Sequence, residues 1–533
     1  LKRMALKVVR TARTWCVVAC LFSILDLSLQ VSTVNSSTYV AAVVEYSPQL
    51  YKPTNQTDNL SKNAEQYVEI ISQAANQSAD IIVFPECGLA ELGTSTKYSS
   101  VIPDPQDNAN PCLSPSAGVH EAVSMLSCAA RKYNMYVVVN IPERKDCTEP
   151  SSSTCTVFYN CDVVFDRQGN TIARYRKFNL FGEPGFNVTE KPDMTVFNTD
   201  FGVKFGVFTC FDIIFEDPAV SLVTQLGVTD IVFPTAWFSE LPFLSAVQEQ
   251  AAWAHSLDVN FLGSGYNAPQ GGSTGSGIYA GKHGVLTSIM ATSPTTQLLI
   301  ATVPKKTNKI GTIQPITPST SSDTSEIYML KDKLEPYTTV PLTQDTTNKL
   351  CNGELCCQFE IKMMNVSNIS GYNYRLAVFD GVRSFTFKTG GLQVCAVISC
   401  ANESLSSCGV PRNDSQTFST TFTYISITGD FRTKVSLLPN TLLYGYNVMP
   451  SDSFSFESQQ RAGVNSVNVK METKSSQTNL MTFGIYGRDF LKDGTPETSA
   501  SQRTNGENSL LISSVGLVLC IIVTVFLKTL LRI

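Results

Sequence analysis

The apolar run Asp80-Ile-Ile-Val-Phe-Pro85 returns as Asp230-Ile-Val-Phe-Pro234, each time after a segment of helical period and each time closed by proline. Short apolar runs bounded by turn residues are strands, and strands that alternate with helices build α/β folds. The rest of the first half fits this pattern. Strands are predicted at Tyr39–Tyr46, Ala79–Pro85, Met135–Ile141, Phe158–Phe165, Thr171–Tyr175, Lys204–Thr209, Val228–Phe233 and Val259–Ser264. Helices are predicted over Ser61–Ala75, His120–Tyr133, Phe243–Leu257 and from Asp217 onwards. The first carries Ala64, Tyr67, Val68, Ile71 and Ala75 on one face. The repeat admits two readings: two related α/β halves facing each other, or a coincidence of apolar strands.

Both ends carry signals of export. Lys2, Arg3, Lys7, Arg10 and Arg13 precede the apolar run Trp15–Leu25, the pattern of a cleaved secretory signal or, alternatively, an uncleaved anchor. Nine N-x-[ST] sequons agree with export: Asn35, Asn55, Asn59, Asn76, Asn187, Asn365, Asn368, Asn402 and Asn413. A second apolar run, Leu510–Leu527, gives about 27 Å of helix, close to the hydrocarbon thickness of a bilayer. The small triplet Ser499-Ala500-Ser501 and a polar spacer precede it, which predicts a GPI anchor at Ser499. Lys528 and Arg532 after the run fit the other reading, a type I membrane helix. Either way the expected location is the outer face of the plasma membrane.

Composition divides the middle. Between Lys305 and Asn348 the chain turns to Thr, Ser, Pro and Lys without periodicity, and beyond Leu350 short alternating runs such as Thr417–Thr428 and Lys434–Leu438 predict a β-rich unit. The expected organisation is a leader at 1–33, an α/β unit at 34–304, a linker at 305–349, a β-rich unit at 350–491, a polar spacer at 492–509 and a tail at 510–533.

Of 16 cysteines, Cys16, Cys20 and Cys520 lie in the terminal runs, which leaves 13, an odd number that points to a free thiol. Cys112 with Cys128 and Cys147 with Cys155 are the expected local bridges. Cys351, Cys356, Cys357, Cys395, Cys400 and Cys408 suffice for three more of open connectivity. Cys87, Cys161 and Cys210 remain. Either the first two bridge each other, or both are free.

Three predicted strand ends carry reactive groups: Glu86, Lys177 and Cys210. The carboxyl ends of strands are where α/β folds gather function. A carboxylate, an ammonium and a thiol together can transfer an acyl group, as base, oxyanion partner and nucleophile. The net charge of −5 and absence of basic runs exclude a nucleic-acid footprint. Only His120, His255 and His283 exist, none in a metal-ligand pattern, and no phosphate or dinucleotide loop is present, so neither metal nor cofactor is expected. A Cys-His hydrolase with His255 as base stays open.

Phe84-Pro-Glu86, Tyr175-Arg-Lys-Phe-Asn-Leu-Phe181 and Phe208-Thr-Cys-Phe-Asp212 resemble, in order, the three motif blocks of the nitrilase superfamily. Tyr159-Asn-Cys-Asp-Val-Val-Phe-Asp166, Ile231-Val-Phe-Pro-Thr-Ala-Trp237, Leu241-Pro242, Leu244-Ser-Ala-Val247, Gly275-Ser-Gly-Ile-Tyr279 and Leu355-Cys-Cys357 resemble its vanin and biotinidase branch. The resemblance implies a four-layer α-β-β-α sandwich followed by a β-rich, disulfide-containing domain without chemistry of its own. It implies Glu86 as general base, Lys177 as oxyanion stabiliser with the Phe211 N–H, Cys210 as nucleophile and Glu183 as support to Lys177. Asn179, Phe211, Asp212 and Trp237 become candidate substrate contacts. Lys177 is also expected to favour the Cys210 thiolate. The implied substrate is a small amide: pantetheine, or a biotin amide as the alternative. A non-catalytic surface protein on the same fold is the third reading.

Overall fold

A computed structural model of the chain describes residues 31–48, 59–90, 98–147, 155–306, 327–365, 371–412, 419–460 and 465–498. The leader through residue 30, the sequons at Asn55, Asn368 and Asn413, the side chain of Asn365, Ser499 and the tail lie outside the described residues.

The repeated run settles the first question. Ile81–Val83 lies third in a six-stranded sheet ordered Gln297–Pro304, Thr38–Glu45, Ile81–Val83, Tyr136–Asp146, Thr156–Phe165, Thr171–Arg176. Asp230–Thr235 lies third in the other, ordered Val196–Asn198, Lys204–Val207, Asp230–Thr235, Asn260–Gly265, Ser276–Ala280, Val285–Ile289. Across both sheets the pairings run antiparallel, parallel, parallel, antiparallel, antiparallel. The two halves are topological equivalents.

Period-two alternation decides which side chains fill which layer. Ala41, Val43, Ile81 and Val83 point to the layer between the sheets, where they meet Phe205, Val207 and Phe233. Ala42, Val44, Ile82 and Phe84 point outwards and are covered by the helices Asn59–Ala75 and Glu121–Tyr133. Within the first helix the buried face includes Tyr67, Ile70 and Ile71, with Val68 only partly buried, one position off expectation. The helix Ala246–Leu257 covers the second sheet, its Trp253 ring 5.3 Å from Phe208. Each buried Val, Ile or Phe among these contributes about 1.5–3 kcal/mol. The result is the expected α-β-β-α sandwich.

The predicted helix from Asp217 differs. Asp217 is extended, at φ −104° and ψ 132°, because a following proline disfavours the helical region. Regular helix covers only Ser221–Thr224.

The C-terminal unit is two five-stranded antiparallel sheets. Thr338–Leu342 and Thr346–Asn352 form an outer strand of each, so strands occupy part of the stretch expected to be a linker. Edge strands are half-solvated, and these carry Thr, Lys, Asn and Pro341 rather than an apolar alternation. Among the described residues five disulfides are present: Cys112–Cys128, Cys147–Cys155, Cys351–Cys356, Cys357–Cys395 and Cys400–Cys408. Cys357–Cys395 ties one sheet of the unit to the other.

Cys87, Cys161 and Cys210 are all free and buried, so no Cys87–Cys161 bridge forms. Strand alternation explains it. Asn160 and Asp162 face the centre of the sandwich, which turns Cys161 into the helix-covered core.

Candidate active site

Glu86 follows the strand Ile81–Val83 and is 2% exposed. Its Oε1 accepts from Asn160 Nδ2 and from Lys177 Nζ, both at 2.7 Å, and its Oε2 accepts from the Ala236 N–H at 2.9 Å. Lys177 follows the strand Thr171–Arg176 and is 1% exposed. Its Nζ also donates to Glu183 Oε1 at 2.5 Å. Burial opposes its charge, but the carboxylates of Glu183 and Glu86 outweigh burial and hold its pKa well above the usual lysine range. An ammonium flanked by two carboxylates therefore sits in a site almost closed to water.

Cys210 begins a short helical turn, Cys210–Ile214, directly after the strand Lys204–Val207 and a two-residue connection. Its backbone is left-handed, at φ +49°, a conformation that costs a non-glycine residue about 1–3 kcal/mol. Asp212 offsets that cost. Its Oδ2 accepts from the Thr209 N–H at 3.1 Å and the Tyr175 hydroxyl at 2.7 Å, and its Oδ1 accepts twice from Asn179, at 2.8 and 2.9 Å. Thr209 Oγ1 then donates to Asp162 Oδ2 at 2.5 Å. Asp162 Oδ1 accepts from Asn140 Nδ2, which also bonds Asn160 Oδ1. A continuous buried chain thus runs from the Cys210 turn to Glu86: Thr209, Asp162, Asn140, Asn160, Glu86.

Burial and the Glu86 charge push the Cys210 pKa far up, and Lys177 only partly opposes them. Lys177 thus acts on the thiol in the expected direction, towards the thiolate, but burial and the Glu86 charge outweigh it. The Ala236 N–H that bonds Glu86 also reaches the sulfur.

The cavity at Cys210 is lined by Phe181, Phe211, Ala236, Trp237, Leu244 and Phe385, among others. Of the expected substrate contacts, Phe211 and Trp237 line it. Trp237 presents only its apolar surface, since its Nε1–H is spent on the Leu244 carbonyl at 2.8 Å. Asp212 is fully buried and braces the turn instead. Asn179 lines a neighbouring cavity. His255 lines neither; it packs against Phe454 with ring centroids 5.5 Å apart, and burial lowers its pKa to about 4.

Sequence reasoning missed Asn140, Asn160 and Asp162. The signal was present in Asn160 and Asp162, two polar residues two apart in an otherwise apolar strand. It also assigned no role to the C-terminal unit, yet Leu330, Phe385 and Thr386 line the Cys210 cavity. Lys388 Nζ donates to Asn179 Oδ1 at 2.7 Å, and Arg383 pairs with Glu240 at 2.6 Å.

Residues 40–252 match the carbon-nitrogen hydrolase family and residues 327–493 match the Vanin C-terminal domain. Vanin-like protein 1 of Drosophila melanogaster is 36% identical over 520 residues, covering 90% of this chain and 91% of that protein. Pantetheinase of Canis lupus familiaris is 35% identical over 508 residues, covering 90% and 94%. Pantetheinase of Homo sapiens is 33% identical over 502 residues, covering 89% and 93%. With both domains matched and relatives this similar along nearly their whole length, the chain belongs to the vanin branch of the carbon-nitrogen hydrolase family and is a hydrolase acting on amides.

Proposed function

We propose that this chain hydrolyses pantetheine to pantothenate and cysteamine through a thioester on Cys210, at the outer face of the plasma membrane. The observation that carries the chemistry is Lys177, fixed at 2.7 Å from Glu86 and 2.5 Å from Glu183 beside a thiol held in a strained turn. Relatives named pantetheinase support the choice of amide.

Glu86 takes the Cys210 proton as sulfur attacks the amide carbonyl. The oxyanion is met by the remaining N–H of Lys177 and by the Phe211 amide, which lies in the first turn where no intrahelical acceptor exists. As the C–N bond breaks, Glu86 returns its proton to the leaving amine. Glu86 then takes a proton from water, whose oxygen attacks the thioester carbonyl; the C–S bond breaks and the sulfur regains a proton. Glu183, with Oε2 buried and unpaired among the described residues, holds Lys177 and orients that water.

Five disulfides support an exported protein. Of the sequons, Asn35, Asn76, Asn187 and Asn402 are exposed, whereas Asn59 is partly buried at a helix start. Release from cells by a phosphatidylinositol-specific phospholipase C would support a GPI anchor at Ser499; retention would favour a membrane-spanning tail. The substrate test measures cysteamine released from pantetheine against lysine released from biocytin, with Cys210→Ala as control. Turnover surviving in that variant would sink the assigned nucleophile, and biocytin preferred over pantetheine would sink the assigned substrate.

A further inference from the structure

The cavity at Cys210 is the smaller of two that adjoin, at about 40 Å³. A second cavity of about 540 Å³ lies beside it, lined by Asn179, Ser384, Lys388, Thr389 and Asp493 with the rings of Phe215 and Phe387. The first is mainly apolar and aromatic. The second carries hydroxyls, an amide, an ammonium and a carboxylate. One residue lines both: Thr386, at the tip of the C-terminal hairpin formed by Asn373–Ser384 and Thr389–Cys400.

Thr386 is unusual in its own right. It is β-branched yet left-handed, at φ +68°, a conformation that is rare and strained for such a side chain. It is exposed, and among the described residues its hydroxyl has no protein partner. The neighbours hold the tip in place. The Phe385 N–H donates to the Lys388 carbonyl at 2.7 Å, and the Phe387 N–H to the Phe385 carbonyl at 2.8 Å. Phe387 packs edge-on to Phe181 with centroids 5.2 Å apart and lies over Gly182, where an added Cβ would come within 2.5 Å of its ring. Lys388 bonds Asn179 and lies 4.8 Å over Phe215. A tip pinned at four points displays one strained, unpaired hydroxyl at the junction of an apolar reaction chamber and a polar outer one.

We propose that Thr386 is a specificity-determining residue of the amidase site. Its hydroxyl hydrogen-bonds a polar group in the middle of an extended acyl arm. The scissile carbonyl of that arm sits at Cys210, and its far end, bearing hydroxyl or amide groups, occupies the outer cavity. The C-terminal domain thereby selects amides with long, hydrogen-bonding acyl arms over short aliphatic ones. An arm that carries a polar group at that point gains a hydrogen bond that an analogue without one cannot make. The inference rests on the amidase reading above.

The test compares kcat/KM for pantetheine with that for N-(2-mercaptoethyl)acetamide, which has the same leaving amine and no arm. The wild type is expected to prefer pantetheine. Thr386→Val, equal in shape but lacking the hydroxyl, is expected to lower that preference about tenfold, through KM rather than kcat. Thr386→Ser is expected to keep it. Melting temperatures of both variants check that the exposed tip leaves the fold intact. Equal preference in the Val and Ser variants overturns the role of the hydroxyl, and a wild type indifferent between the two amides overturns the outer subsite. A wild type inert towards both amides overturns the pantetheine reading itself, and this proposal with it.

Discussion

Replacing Asp162 by asparagine gives a stability change whose dependence on pH follows from the structure. Asp162 is fully buried and wedged between the Thr209 hydroxyl and the Asn140 amide. Burial raises its pKa from 3.8 to about 7, against the pull of those two hydrogen bonds. A carboxyl group whose folded pKa is raised favours folding while protonated. Its contribution is complete below pH 3.8, falls as the unfolded chain ionises first, and is gone above about pH 7. Each pKa unit corresponds to about 1.4 kcal/mol, so a shift of about three units costs the wild type roughly 4 kcal/mol at pH 8 relative to pH 3.8. The side-chain amide introduced by Asp162→Asn cannot ionise. Thr209 can turn its hydroxyl to accept from the new NH₂ group while Asn140 still finds the oxygen. The variant is therefore expected to gain on the wild type by about 1.4 kcal/mol per pH unit between pH 4 and 7, and by nothing further above it. Urea denaturation of the two proteins at half-unit steps from pH 4 to 8.5 measures this. A difference that is flat across the range, or that grows above pH 7.5, refutes the assignment of the ionisation cost to Asp162.

Lys388→Met removes the charged donor to Asn179 while keeping the stem; losing a charge-assisted bond of about 1.5–3 kcal/mol loosens the brace on Asp212 and is expected to lower kcat about tenfold. Stopped assays and thermal melts should show that loss with a near-wild-type melting temperature, and unaltered kcat would detach the C-terminal domain from the nucleophile's turn. Replacing Cys357 and Cys395 together by Ala opens a link spanning 38 positions, whose chain-entropy value is about 4 kcal/mol. Denaturant melts are expected to show most of that loss with the amidase site still assembled; unchanged stability would assign the pinning of the two sheets to packing alone.

Glu86, Lys177 and Cys210 were legible because each ends a strand in sequence, and in an α/β sandwich strand ends converge. The repeated apolar run likewise foretold two equivalent sheets, since strand position is encoded locally by what precedes and closes the run. What stayed hidden depends on partners far along the chain. Asp212 looked like a ligand group beside the nucleophile, yet Tyr175 and Asn179 consume its lone pairs from another strand end. The tip Phe385–Lys388 lies more than 170 residues from Cys210 in sequence, and nothing local marks it as part of the site. The strands at Thr338–Leu342 and Thr346–Asn352 escaped because an edge strand has only one partner and little apolar burden. Cys87 and Cys161 could be counted but not placed, because one sits in a left-handed turn and the other on the far face of its strand.

The central claim is that Cys210, and no other thiol, carries the acyl group. Peptide mapping after acid quench of the enzyme during pantetheine turnover tests it directly, since Cys87 lies beside the same base and is also free. The account predicts a pantothenoyl thioester on the peptide holding Cys210, absent together with all turnover in Cys210→Ala. An acyl group found on Cys87, or full turnover in Cys210→Ala, would contradict it.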